Sequence, residues 1–184
     1  PFGAIFEISQ VFDILQSIRR GEEVVAIVAP SILSQYNAPT EQVYGAIKAI
    51  GFKAVIEVAR GAEITTEKET HEFAEKMEEG QAFMTTSCCP SYMEMARKHA
   101  PELQKYISST YSPMVYTAQL AREKYPNAKV VFVGPCIAKR KEARREDLKG
   151  LVDYILTYEE AHAILGGMNI ELGEANIHPV DCAS

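Results

Sequence analysis

Short apolar runs alternate along this chain with longer stretches in which apolar residues recur every three or four positions. Ile8, Val11, Phe12, Leu15 and Ile18 share one face of a helix over roughly 7–20, which Gly21 ends. Val24-Val25-Ala26-Ile27-Val28-Ala29 is a continuous apolar run stopped by Pro30, the pattern of a strand buried on both faces of a parallel sheet. Pro39-Thr40 introduces a helix to about Ile50, and 54–58 reads as a second strand. A helix over about 66–79 ends at Gly80, and 82–85 reads as a third, short strand. Pro90 opens a helix to about Ala100, Pro101 starts a turn through Leu103 and Tyr106, and Pro113 begins a helix to about Tyr125. Strands over 129–133 and 152–156 come next, then a helix over 158–165 stopped by Gly166-Gly167. Residues 169–184 show no clear period. Five strands alternating with helices predict an α/β fold: a mostly parallel twisted sheet with helices on both faces and ligand sites at the strands' C-terminal ends.

At 184 residues the chain can bury a substantial core. Its formal net charge of −6 argues against nucleic acid or an anionic membrane as the main partner. No apolar run reaches the roughly 18 residues that a membrane span requires, and no signal peptide precedes the first element, so a cytoplasmic address is expected. Four cysteines in a chain of this size do not make a secreted disulfide scaffold. Reduced, reactive or ligating thiols are the better starting point.

Two of those cysteines lie together in Thr86-Ser87-Cys88-Cys89-Pro90-Ser91-Tyr92. Neighbours in an extended segment point to opposite sides, so Cys88 and Cys89 divide their labour rather than grip one ion. Pro90 suits a first helical position, which sets Cys89 at a helix N-terminus where a thiolate, and hence a metal bond, is favoured. Cys88 is left for another task, such as carrying a proton. Cys136, in Gly134-Pro135-Cys136, again falls between a strand and a helix. If those strands lie close, Cys89 and Cys136 share a metal cluster; any single cysteine is otherwise often just a small core hydrophobe.

Cys136, Lys139 and Glu142 stand three apart, so the lysine overhangs whatever Cys136 binds while Glu142 steadies it by an ion pair. The plainer alternative is a solvated basic face, since Arg140, Lys141, Arg144 and Arg145 surround it. Glu69, Glu72 and Lys76 form a stripe beside Phe73 and Met77 on the inner face of their helix, able to pass protons if half buried. Exposed helical charge is the commoner cause of such a stripe. His71, His99, His162 and His178 show no metal-ligand spacing, and Cys182 has no partner.

Thr86–Tyr92 and Gly134–Glu142 resemble the first and second signature motifs of the iron-only [FeFe]-hydrogenase catalytic domain, TSCCPGW and MPCxxKxxE. Ala29-Pro30, Ser108, Ser112-Pro113 and Thr157 fall where that family has counterparts, so the resemblance spans almost the whole chain. Pro1-Phe2-Gly3-Ala4-Ile5 is similar to the residues just after the last cysteine of a ferredoxin-type CxxCxxCxxxCP motif. The expected organisation is therefore 1–22, the tail of a ferredoxin-like domain plus a connecting helix, and 23–184, the cysteine-bearing lobe of the H-cluster domain, its second lobe absent.

The resemblance implies that Cys89 and Cys136 ligate the [4Fe-4S] part of the H-cluster and that Cys88 exchanges protons with the bridging amine of its diiron subcluster. It implies that Lys139 bonds an iron-bound cyanide with Glu142 in support, and that Ala29 and Pro30 line the other cyanide. A proton path runs from Cys88 through Glu69, Ser108 and Glu72, with Lys76 where catalytic members have arginine. The implied function is a fragment of a hydrogenase-like oxidoreductase serving reversible 2H⁺ + 2e⁻ ⇌ H₂, inactive alone. Its implied partners are H₂, protons and a ferredoxin-type carrier or fused ferredoxin domain. The family's third motif, with two further cysteines, is absent. Ser91 and Tyr92 replace Gly and Trp, and Gly134 replaces a methionine, changes similar to divergent sensory members. A hydrogen or redox sensor with little turnover is thus the competing class, and a metal-free thiol enzyme using Cys88 a third.

Overall fold

The computed structural model describes residues 8–172. Four strands, β1 (Val24–Val28), β2 (Ala54–Glu57), β3 (Lys129–Val133) and β4 (Tyr154–Leu156), pair in the order β2-β1-β3-β4, and every pairing is parallel. The sheet is the expected mostly parallel one, with a strand fewer. Residues 82–85 contribute only a bridge between Thr85 and Ile107, outside the sheet. That segment is half exposed, and it pairs only with the chain near Ile107, where Phe83 stacks on Tyr106, so no strand of the sheet lies beside it.

Central β1 is buried along its whole length because its residues alternate between two cores. Val24, Ala26 and Val28 pack with Val43, Tyr44 and Ile47 of α2 (Thr40–Ala49), Ile14 of α1 (Val11–Arg19), and Ile164 and Leu165 of α7 (Tyr158–Gly167). Val25 and Ile27 pack against Met114, Val115 and Ala118 of α5 (Pro113–Lys124). Burying each such side chain is worth about 1.5–3 kcal/mol. A continuous apolar run is what a two-sided core demands.

α3 (Ala59–Glu78) begins two turns earlier than the apolar period suggested, because residues 59–65 pack on α5 instead of presenting an amphipathic face. At the crossing, Gly61 donates its N–H to Thr117 Oγ1 at 3.2 Å, and a Cβ there would overlap Thr117 and the Pro113 carbonyl. Close approach of this kind needs glycine. No residue in the far half of α3, from 66 onward, is fully buried, and Phe73, expected inward, is exposed. Among the described residues no helix is long and apolar enough to cross a membrane.

Chain direction defines where a site can form. The loop after β1 leads toward β2 and the loop after β3 toward β4, so the connections diverge between two adjacent strands. Open α/β sheets hold their ligands at such a switch point. Here its walls are Ala29-Pro30 and Gly134-Pro135-Cys136. Ala29 N donates to Val133 O at 2.9 Å and Gly134 N to Leu156 O at 3.0 Å, extending the ladder to the crevice.

Candidate metal and proton-transfer site

Cys136 lies just past β3, as expected, but the next helix, α6 (Lys139–Ala143), starts only after a turn and is five residues long. Cys88 and Cys89 leave no sheet strand. Cys89 instead caps α4 (Pro90–His99): its Sγ accepts from Tyr92 N at 3.4 Å, with Pro90 first in the helix. Cys88, Cys89 and Cys136 are free thiols, Cys89 exposed and the other two partly so. Cys88 Sγ lies 3.2 Å from Thr86 Oγ1. Cys182 and His178 lie outside the described residues.

One side chain joins the two motifs. Lys139 Nζ donates to Cys88 O at 3.1 Å, Ser112 Oγ at 3.2 Å and Glu142 Oε2 at 2.6 Å. Ser112 in turn donates to Glu142 Oε1 at 2.6 Å. With 12% and 6% side-chain exposure, Lys139 and Glu142 form a buried ion pair, not the solvated basic face weighed as its alternative. Three acceptors meet the three ammonium protons, and the carboxylate has a partner on each oxygen, which is what burial of such a pair requires. Neighbouring Arg140 is buried too, and Glu160 takes its Nη2 through both oxygens at 2.9 and 2.8 Å.

The acidic stripe of α3 turns toward the Cys88 loop. Glu69 accepts from Ser87 N at 3.4 Å. Glu72 collects Ser108 Oγ at 2.5 Å, Ser109 N at 2.9 Å, Ser109 Oγ at 3.0 Å and Thr110 Oγ1 at 3.2 Å. Burial pushes the Glu72 pKa up, but these donors outweigh it and hold the carboxyl below its ordinary range. Ser87 Oγ also donates to Thr110 O, so 108–110 and the cysteine loop are laced together. Lys76 stands apart in an exposed pair with Glu79. A cleft of about 370 Å³ opens beside the site, with Ser87, Ser108 and Glu142 in its walls.

Ser109, Thr110, Ser112, Arg140 and Glu160 carry no sequence signal of function that spacing alone brings out. The hydroxyl run Ser108-Ser109-Thr110-Tyr111-Ser112 was the available hint for the first three, since such a run is what wraps a carboxylate. Among the described residues no three His, Cys, Asp or Glu side chains converge on a metal position. Free thiols at the two corners, soft donors suited to iron and sulfide, fit a cluster as part of its ligand set.

A parallel α/β lobe with Cys136 at its switch point, and the Cys88-Cys89 loop tied to it through Lys139, defines a class of thiol-bearing α/β domains, and comparison with known families specifies it. The family model "Iron only hydrogenase large subunit, C-terminal domain" matches residues 22–183, so the chain belongs to that family. It is 28% identical over 183 residues to iron hydrogenase 1 of Clostridium pasteurianum, covering 87% of this chain and 32% of that protein. It is also 31% identical over 123 residues to the cytosolic Fe-S cluster assembly factor NAR1 of Eremothecium gossypii, covering 66% and 27%. The structure of HydA(deltaEFG), solved for stepwise [FeFe]-hydrogenase H-cluster assembly, superposes with a TM-score of 0.84 at 26% identity. It covers 96% of this chain and 51% of that one. A variant of [FeFe]-hydrogenase HydA1 from Chlamydomonas reinhardtii gives 0.84 at 25%, with the same coverage. The fold is thus one lobe of a hydrogenase catalytic domain, and the chain spans about a third of its curated relatives' length.

Proposed function

We propose that this chain is the cysteine-bearing lobe of a hydrogenase-like protein, in which Cys89 and Cys136 supply half the ligands of a [4Fe-4S] cluster and Cys88 handles protons. When bound, the H-cluster would relay electrons between the electron partner and the reversible reaction 2H⁺ + 2e⁻ ⇌ H₂. Residues 1–22 serve as the tail of a ferredoxin-like domain and connecting helix, and 23–184 as the lobe; the family match from residue 22 supports that division. A ferredoxin-type carrier or fused domain is the electron partner.

The observation that carries the reading is Lys139. A lysine one turn beyond Cys136 grips the backbone of Cys88, so two motifs distant in sequence meet at one place. Around it the chain's own residues do the work of a proton site. Glu142 holds Lys139 in place, Ala29 and Pro30 wall the crevice, and Glu69 reaches the residue beside Cys88. Ser108 and Glu72 form the outer segment of the relay, joined by a 2.5 Å hydrogen bond.

A sensor reading is favoured by Gly134. Its backbone is not in the left-handed region, and a Cβ there would overlap the Phe132 ring. The residue is glycine because a core aromatic occupies its side-chain space. The wall that carries methionine in catalytic relatives is therefore bare here.

Iron and sulfide analysis with EPR on the matured full-length protein tests the first reading: a wild-type protein without iron ends it. Hydrogen evolution then separates the classes, a sensor giving a spectral change with hydrogen and little gas.

A further inference from the structure

The first turn of α7 touches the corner after β1 and the helix that follows Cys136, yet neither proton transfer nor cluster ligation uses it. Tyr158, 5% exposed, is its first residue. The hydroxyl donates to Ala29 O at 3.0 Å and lies 2.7 Å from Ser31 Oγ. A phenol has one proton and a carbonyl only accepts, so that proton belongs to Ala29 and Ser31 must donate to the Tyr158 oxygen. Tyr158 is thereby bound to both sides of Pro30. Its ring sits in the core with the residues of β1 and α2, where phenylalanine would pack as well.

Two residues on, Glu160 closes a capping box with Thr157, its carboxylate accepting from Thr157 N at 2.8 Å while its own N–H donates to Thr157 Oγ1 at 3.2 Å. The same carboxylate holds Arg140, the residue after Lys139 on α6. One helical turn therefore grips the corner after β1 through Tyr158 and the helix after Cys136 through Glu160. Both grips are buried, and the capping box fixes the spacing between them.

We propose that Tyr158 is a positioning residue: with Glu160 it clamps the Ala29–Ser31 corner to the Cys136 corner and so sets the width of the crevice between β1 and β3. The proposal rests on the proposed function for the crevice's occupant, an iron–sulfur cluster.

The test uses Tyr158→Phe, which keeps the ring and removes both hydrogen bonds, and Ser31→Ala, which keeps the bond to Ala29. In this chain, amide hydrogen exchange over 29–36 should quicken about thirtyfold in Tyr158→Phe, the loss of two ordinary hydrogen bonds, and about fivefold in Ser31→Ala, the loss of one. In the matured full-length protein, Tyr158→Phe should move the EPR g values with iron content unchanged. Unchanged exchange overturns the clamp. Faster exchange with an unmoved EPR signal overturns the positioning role, leaving Tyr158 merely structural. Ser31→Ala equalling Tyr158→Phe in both readouts overturns the assignment to Tyr158. Wild-type protein without iron instead fails the functional reading itself, and is told apart because no variant is involved.

Discussion

The two cysteine corners carry similar motif chemistry on different supports. Cys136 hangs from the end of a buried strand, its approach fixed by the β1–β3 and β3–β4 ladders. Cys88 and Cys89 stand on a loop outside the sheet, pinned by a bridge to Ile107 and by the carboxylates of Glu69 and Glu72. Backbone ladders are cooperative and insensitive to pH, whereas a carboxylate bracket depends on its charge. One corner is rigid by topology and the other adjustable by chemistry, with Lys139 as the tie between them. The acidic groups of the site, Glu69 and Glu72, lie on the adjustable side.

Removing the tie has the largest expected effect. Glu142→Ala leaves Lys139 buried without its counter-ion and should cost about 3–5 kcal/mol in urea unfolding, with exchange rising at both corners. Breaking the bracket alone sharpens the contrast. Glu72→Ala leaves the buried Ser108 hydroxyl without its acceptor, while the exposed Ser109 turns to water, and should cost about 1–3 kcal/mol, with faster exchange over 84–89 and 107–110 but not over 129–136. Equal loosening of both would show that the supports are not separate.

Gly134→Ala probes the rigid corner instead. A methyl driven against Phe132 should cost about 1–3 kcal/mol, and Phe132→Leu in the same chain should recover part of it. Acid gives a graded version of the bracket experiment. Because the Glu72 pKa is lowered by folding, its stabilisation is full above the ordinary carboxylate value and is lost as pH falls through the folded value. Protection factors at 108–110, taken relative to the intrinsic exchange rate at each pH, should therefore fall on acidification before those in the strands do. Lys76→Ala, removing an exposed pair with Glu79, should change stability by no more than about 0.5 kcal/mol.

Much of this architecture is legible in the residues alone. Short unbroken apolar runs such as 24–28 and 130–133, too short for buried helices and set between turn signals, read as two-sided strands, and proline after Cys89 announces a capped helix, because these signals act through the residues that carry them. The Lys139–Glu142 pair is legible for the same reason, being one helical turn apart. Residues 82–85 mislead because a short apolar segment bounded by turns looks alike whether or not a partner strand exists beside it. Phe73 misleads because periodicity shows that a helix has an apolar side without saying how far the rest of the fold extends along it.

By itself, then, the sequence determined the kinds of element, the order of the motifs and the chemistry each thiol, amine and carboxylate brings. Tertiary structure alone decided who meets whom: Lys139 with the Cys88 carbonyl, Glu72 with the 108–110 loop, Arg140 with Glu160, Tyr158 with both sides of Pro30. Those partners lie 20 to 129 positions apart. The physical reason is that a buried polar group takes whichever partner the packed elements deliver within about 3 Å, and no local pattern encodes that delivery.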